Sequence, residues 1–385
     1  GRDTAQLTGL LAHADRRIRR RAQFELARRG EAEALVAVAR DPAQGKLPRL
    51  HATWGLGQIG RDAFARLGAD LAWAVDEPAL LHQAMKVAGE VGATPLTPAL
   101  LEGLRDPSAR TRFFAAQALG ALGARDAVPP LIAVLRENAD ADVFLRHAAV
   151  WALHRIGDLE AVLGHADDAS ASVRLGVLLT LRHAADPRIA RFLADPDPFL
   201  VLEAARAIYD LPIAEALPRL AALPASTLPS DDDPQSSHAL HRRVIGANRT
   251  VGTEQAAIAL AAHAGDADHP EAMRRLALES LGEFLAPGPR DLTMGFFRPL
   301  EERPNEIVHA AWDRYGPALV AGDLGGRALE LSEAHGRVPL DDDALVAQAE
   351  DQSLAAPRRV AALRVLAGRA SAADRLPALV DAMLA

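Results

Sequence analysis

A glycine recurs about every thirty residues through the first part of this chain, at Gly30, Gly60, Gly92, Gly123 and Gly157, and an arginine keeps a fixed distance from it. Eleven positions before those glycines stand Arg19, Arg49, Leu81, Arg112 and Arg146. Further units fit at Arg174 in "SVRLGVLL", and looser ones at Arg274 and Arg359. A period of this length belongs to helical arrays, whose units cannot bury an apolar face alone and must stack to complete a core.

Each clear unit reads as an apolar helix, a turn with Asp and often Pro, and a second helix of small residues closed by Gly, as in "LTPALLEGLRDPSARTRFFAAQALGALG". Asp106-Pro107 stops the first helix, Ala115, Ala116 and Ala118 let backbones approach, and Gly123 supplies the left-handed residue that ends a helix. The unit resembles the HEAT repeat, and the fold class it implies is all-α, a right-handed α-solenoid of helical hairpins. Composition agrees: 49% of residues are apolar but only 4% aromatic, so the core is made of Ala, Leu and Val, which suits close helix packing.

The array loosens after about residue 210. The stretch "PASTLPSDDDPQSSH" from Pro224 to His238 has too little apolar surface to repay ordering and reads as an exposed loop. A second irregular stretch, "APGPRDLTMGFFRPLEERPNE", follows residue 285. Helices are expected to resume at Ile307–Leu319 and to end in capping pairs. This divides the chain into regular repeats (1–212), irregular repeats (213–320) and capping helices (321–385).

In the second helices, the positions twelve, eight, five, four and one before the closing glycine are apolar or small and should form the buried seam. The positions ten, six and three before it share another face. That face reads Arg20 and Phe24, Leu50 and Trp54, His82 and Lys86, Phe113 and Gln117, then His147, Trp151 and His154. By looser alignment it continues with Arg206 and Tyr209, and with Arg242 and Arg249. If second helices line a concave side, these residues make a groove floor of the groups that dominate binding hot spots. The competing reading is that Trp54 and Trp151 fill gaps between units.

Little in the sequence points to chemistry. There is no His-Glu-x-x-His, P-loop, Gly-x-Ser-x-Gly or dinucleotide fingerprint, and no cysteine for disulfides, thiolate metal sites or haem attachment. His147 and His154 lie about 10 Å apart along a helix, too far to share one metal. His238 and His241 have helical spacing beside Asp231, Asp232 and Asp233, but a solvated acidic loop is the commoner arrangement, so no metal or cofactor is expected. The run "RRIRRRAQFELARR" from Arg16 to Arg29 is the strongest basic patch, yet a net charge of −8 argues against a nucleic-acid partner. Two of the 43 basic residues are lysines, Lys46 and Lys86, and the other 41 are arginines, a bias of genome composition. No apolar run approaches the roughly 18 residues that span a bilayer, and the N-terminus shows no export signal. Its abrupt start is expected of a piece cut from a larger chain.

Longer strings resemble the HEAT region of large bacterial membrane-associated dehydrogenase-type proteins, which join a sugar-dehydrogenase-like propeller, a HEAT array and a c-type haem domain. The strings are "HADRRIRRRAQFELARRG", "RLHATWGLGQIG", "ENADADVFLRHAAVWAL", "FLADPDPFLVLEAARAIYDLPI" and "NRTVGT", within roughly residues 7 to 300. The resemblance implies an extracytoplasmic, periplasmic setting, with a cytoplasmic one as the alternative, and a role in positioning domains of the same parent chain. The function expected is therefore a non-catalytic scaffold or protein-interaction module. The alternatives are a nucleic-acid binder similar to helical-repeat DNA glycosylases and a HEAT-type bilin lyase.

Overall fold

The computed structural model describes residues 2–224, 227–231, 233, 235–369, 371, 376–377 and 379–380. The chain is an all-α array of helical hairpins, as its repeat implies. Among the described residues the one β-type pairing is an isolated bridge between Arg290 and Phe297. Two compact units divide at Asp186 and Pro187, inside the span that the sequence marks as regular.

The first unit carries the second helices Arg16–Arg28, Lys46–Ile59, Pro78–Val91, Ala109–Leu122, Val143–Ile156 and Ala171–His183. Four of these six start at a side-chain cap. Asp15, Glu77, Ser108 and Asp142 accept hydrogen bonds from backbone N–H groups of the first turn, each cap contributing about 1 kcal/mol. Five of the six helices stop at or just before a glycine of positive φ, such as Gly123 at 64° and Gly157 at 75°, and the sixth ends before Ala185 at φ 51°.

The repeated arginine holds the hairpin together. Arg19 donates to the carbonyls of His13 and Ala14 at 2.7 and 2.8 Å, Arg112 to those of Asp106 and Pro107 at 2.7 and 3.1 Å, and Arg174 to those of Asp168 and Ala169 at 2.9 and 3.3 Å. In all three the guanidinium reaches back six and five residues to the turn that joins the two helices. Arg146 pairs with the Asp140 side chain across the same interval, while Arg49 reaches the Ala39 carbonyl and Arg359 the Ala349 carbonyl, each at 3.0 Å.

The four second helices from Lys46–Ile59 to Val143–Ile156 meet in one constant register. A Cβ added to Gly57 would lie 2.6 Å from Val87 Cγ1; on Gly89 it would lie 2.9 Å from Ala118 Cα, and on Gly120 it would lie 2.6 Å from Ala152 Cα. Each of these glycines stands three residues before its closing glycine, and each partner stands five before the next one. Backbones approach this closely only where the side chain is missing. Leu56, Leu80, Leu119 and Leu153 are fully buried, each contributing about 1.5–3 kcal/mol.

The second unit contains Pro198–Asp210, Leu217–Ala221, Ser237–Val251, Glu254–Gly265, Glu271–Gly282, His309–Ala321, Gly325–Ala334, Asp342–Glu350 and Ala356–Ala367. The resumed helix thus begins at His309, after a single tight turn over Asn305–Val308. The core gathers Phe284, Trp312, Leu329, Leu345 and Leu366, all fully buried. The Trp312 indole donates to His335 Nδ1 at 2.9 Å, and the opposite nitrogen of that imidazole donates to the Gly282 carbonyl at 3.2 Å. Both ring nitrogens are used by a neutral imidazole, and burial lowers its pKa.

Two sequence expectations change here. The Pro224–His238 stretch is not wholly an exposed loop: Leu228 is buried, the Pro229 carbonyl accepts two hydrogen bonds and the helix starts at Ser237, while Ala225, Ser226, Asp232 and Pro234 lie outside the described residues. The stretch after residue 285 is a strap tied to the neighbouring helices. Leu285 to Arg303 carries few apolar groups inward, so arginine and aspartate fasten it instead.

Candidate functional site

In the first unit the constant register aligns equivalent positions of neighbouring second helices. Six residues before each close stand Phe24, Trp54, Lys86, Gln117 and Trp151, all exposed or half-buried. Phe24 is 48% exposed and Trp151 38%. Arg20 is also exposed and lies 5.8 Å over the Phe24 ring. Lys86 pairs with Glu90 at 2.8 Å.

Trp54 is fixed from both sides. Its indole donates to Gln83 Oε1 at 3.1 Å on the next helix, and its ring meets His51 edge-on at 5.1 Å. His51 in turn donates from Nδ1 to Gln23 Oε1 at 2.6 Å and accepts from Arg19 Nε at 3.2 Å, an arrangement only the neutral ring allows. Burial, with the Arg19 charge second, lowers the His51 pKa. At the far end Trp151, His154 and His183 form a cluster, with ring centres 5.2 to 5.5 Å apart, and the exposed His147 stands one turn earlier on the same helix.

The rest of the expected stripe is only partly available. Leu50 and His82 are buried: the position ten before the close turns inward in these units, and His82 stacks on Phe114 at 5.1 Å and hydrogen-bonds Thr111 Oγ1 at 3.2 Å. Phe113 is half-buried and meets Phe114 edge-on. The position three before the close is a packing position at Gly57, Gly89 and Gly120, whereas His154 is half-buried there. His183 belongs to the open cluster and was missed because its repeat closes on Ala185, at φ 51°, instead of a glycine.

In the second unit the equivalent face is covered. Tyr209 is buried and donates its hydroxyl to Asp291, and burial followed by that carboxylate raises its pKa. Arg249, also buried, donates to the Gly288 carbonyl at 2.9 Å. Arg298 lies 6.0 Å over the Tyr209 ring and donates to the carbonyls of Tyr209 and Asp210 at 3.2 and 2.6 Å. Thr293 donates to the Arg242 carbonyl at 3.1 Å, and Arg303 donates to the Arg249 carbonyl at 2.7 Å. Tyr209 and Arg249 are therefore not groove residues, because the strap consumes their polar ends. Arg242 keeps an exposed side chain, and Arg206 is half-buried in an ion pair with Glu203 at 2.7 Å. On its outer side the strap exposes Phe296 and Phe297.

A second cluster was not foreseen in its actual membership. His241 does not join His238 and the acidic loop; it meets His263 and His269, all three buried. Among the described residues no other three side chains bring metal-binding atoms together in this way. His241 Nε2 donates to the Pro229 carbonyl at 2.8 Å, so its Nδ1 is free of hydrogen in the neutral ring and accepts from His263 Nε2 at 3.0 Å. Burial lowers the pKa of His241 and lowers that of His263 well below its usual value.

The Arg16–Arg29 run is largely committed within the fold. Arg17 pairs with Asp15, and Arg28 and Arg29 share Glu25, each at 2.7 Å, while Arg19 is buried. No helix among the described residues is long and apolar enough to cross a membrane.

The HEAT-repeat family model matches residues 68–154 and 97–182. No curated protein matches the chain in sequence. Among solved structures, human deoxyhypusine hydroxylase in complex with glycerol aligns at 21% identity over 66% of this chain and 96% of its own, with a TM-score of 0.27. An engineered protein aligns at 14% over 95% and 98%, TM-score 0.33. The CpcE–CpcF complex of phycocyanin lyase from Nostoc aligns at 19% over 87% and 95%, TM-score 0.24. With TM-scores of 0.24 to 0.33 these alignments carry no argument about this chain, and the resemblance to dehydrogenase-type proteins is not shown. The expectation of a non-catalytic chain is withdrawn, since the aligned structures include a hydroxylase and a lyase and nothing positive supports it. What the sequence and the packing establish together is that residues 68–182 are HEAT repeats.

Proposed function

We propose that the first unit is a protein-binding module whose contact surface is the row Phe24, Trp54, Lys86, Gln117 and Trp151, ending in the Trp151, His154 and His183 cluster. The observation that supports this is the constant register of the second helices, which lines up exposed aromatic groups that local packing does not require. Hot spots favour such groups, since large rigid rings bury area at little entropic cost. A photo-crosslinking residue placed at Gln117 should capture a partner that the same residue at Arg136, on the helix that follows (Val128–Asn138), does not. Trp151→Ala should weaken that capture about tenfold or more, equivalent to about 1.4 kcal/mol. Equal capture at both positions sinks the reading.

The strings shared with dehydrogenase-type proteins support a setting in which the partner is another domain of the same extracytoplasmic parent chain. The flanking gene sequence tests this directly. Propeller strands on one side and a Cys-x-x-Cys-His signal on the other are the expected result, and a gene with neither overturns it.

A further inference from the structure

We propose that His241, His263 and His269 bind one divalent transition-metal ion of the zinc class in the second unit. The three imidazoles come from two helices and the turn that follows the second, and each offers one nitrogen within 4.8 Å of the others. Tetrahedral ligands about 2.05 Å from zinc stand about 3.3 Å from one another. The His241–His263 pair at 3.0 Å must open by a few tenths of an ångström, and the wider pairs must close by up to about 1.5 Å, within the reach of side-chain rotation.

The surroundings already have the form that a metal ligand needs. His241 Nε2 donates to the Pro229 carbonyl, which fixes the ring and turns Nδ1 inward with its lone pair available. A bonded second nitrogen of this kind orients nearly every metal-binding histidine. Ser237 Oγ donates to the same carbonyl at 3.2 Å, so the overlying loop is held in place. An ion would replace the hydrogen now shared between His241 and His263, and the His263 proton would move to its own Nδ1. His263 also lines an apolar pocket of about 520 Å3 together with Leu223, Leu228 and Val244. Three protein ligands would leave the fourth position of a tetrahedron for water or a small molecule.

The competing account is a polar knot of three imidazoles with no ion. The test uses the full chain, stripped with chelator and then titrated with Zn2+ by calorimetry, with Co2+ as a visible-absorption probe. Binding of one ion per chain with a tetrahedral cobalt spectrum is expected. His241→Gln with His263→Gln should abolish both, and His309→Gln, at a half-buried histidine outside the cluster, should change neither. A folded wild-type chain that takes up no ion, or binding that survives the double variant, overturns the proposal. Should the double variant unfold, His269→Gln decides alone: weakening of about tenfold or more supports the site and unchanged affinity overturns it.

Discussion

The two units present the same face of their second helices in opposite ways. In the first, the row from Phe24 to Trp151 stays open, with an alignment set by glycines that let neighbouring backbones touch. In the second, the strap from Leu285 to Arg303 lies across the equivalent positions and ties up Tyr209, Arg249 and the Arg242 carbonyl. One repeat chemistry therefore supports both a surface for others and a surface the chain reserves for itself. An insertion of about twenty residues, rather than a change in the helices, separates the two outcomes.

The largest expected effect falls on the covered face. Asp291 is buried, receives the Tyr209 hydroxyl and the Thr293 amide, and lies 3.7 Å from Arg298, so Asp291→Ala should cost about 3–5 kcal/mol by leaving those partners unpaired. Urea denaturation measures the loss, and hydrogen exchange should rise across residues 288–303. Protection that stays unchanged there would mean that the strap is held by something else. Next in size is the seam of the open unit. Gly120→Ala gains about 1 kcal/mol of helix propensity but drives its methyl into the Ala152 backbone, and overpacking of about 1–3 kcal/mol should win. A stabilised variant would show that the register is looser than described.

Acid should act on the open unit more gently. His51, His82 and His183 have folded pKa values lowered by burial, with Arg19, Arg110 and His154 respectively as the next cause. The unfolded chain binds more protons than the folded one between the two values. Their contribution is thus complete above pH about 6.5 and is lost as pH falls from there towards the depressed folded values. Thermal melts from pH 7.5 to 5 check the sign, and His82→Gln should flatten part of the slope. Smallest of all is Phe24→Ala, on the open row, which should change stability by no more than about 0.5 kcal/mol. A larger loss would make Phe24 a packing residue and remove it from the proposed contact surface.

The sequence showed the repeat because its markers are local: a glycine that must turn left-handed and an arginine at a fixed distance. It also showed the open row, since Trp54 and Trp151 keep step with those glycines. It failed where a position changes sense with its neighbour. His82 looks like Arg20 and His147 by spacing, yet Thr111 and Phe114 enclose it. Tyr209 and Arg249 keep the right interval but meet a strap from more than thirty residues further on, which no period records. The three histidines lie on separate elements, 22 and 6 residues apart, and only the hairpin turn brings them together.

The arginine that reaches back to the turn has one more implication. At Arg19, Arg112 and Arg174 it recognises carbonyl oxygens, which every residue carries, and so it is indifferent there to which side chains occupy the turn. Mutation can rewrite those connecting residues without loosening the angle between paired helices, provided the guanidinium survives. Drift in the linkers and constancy in the hairpin are then compatible, and a family built this way would diverge fastest where its helices change direction.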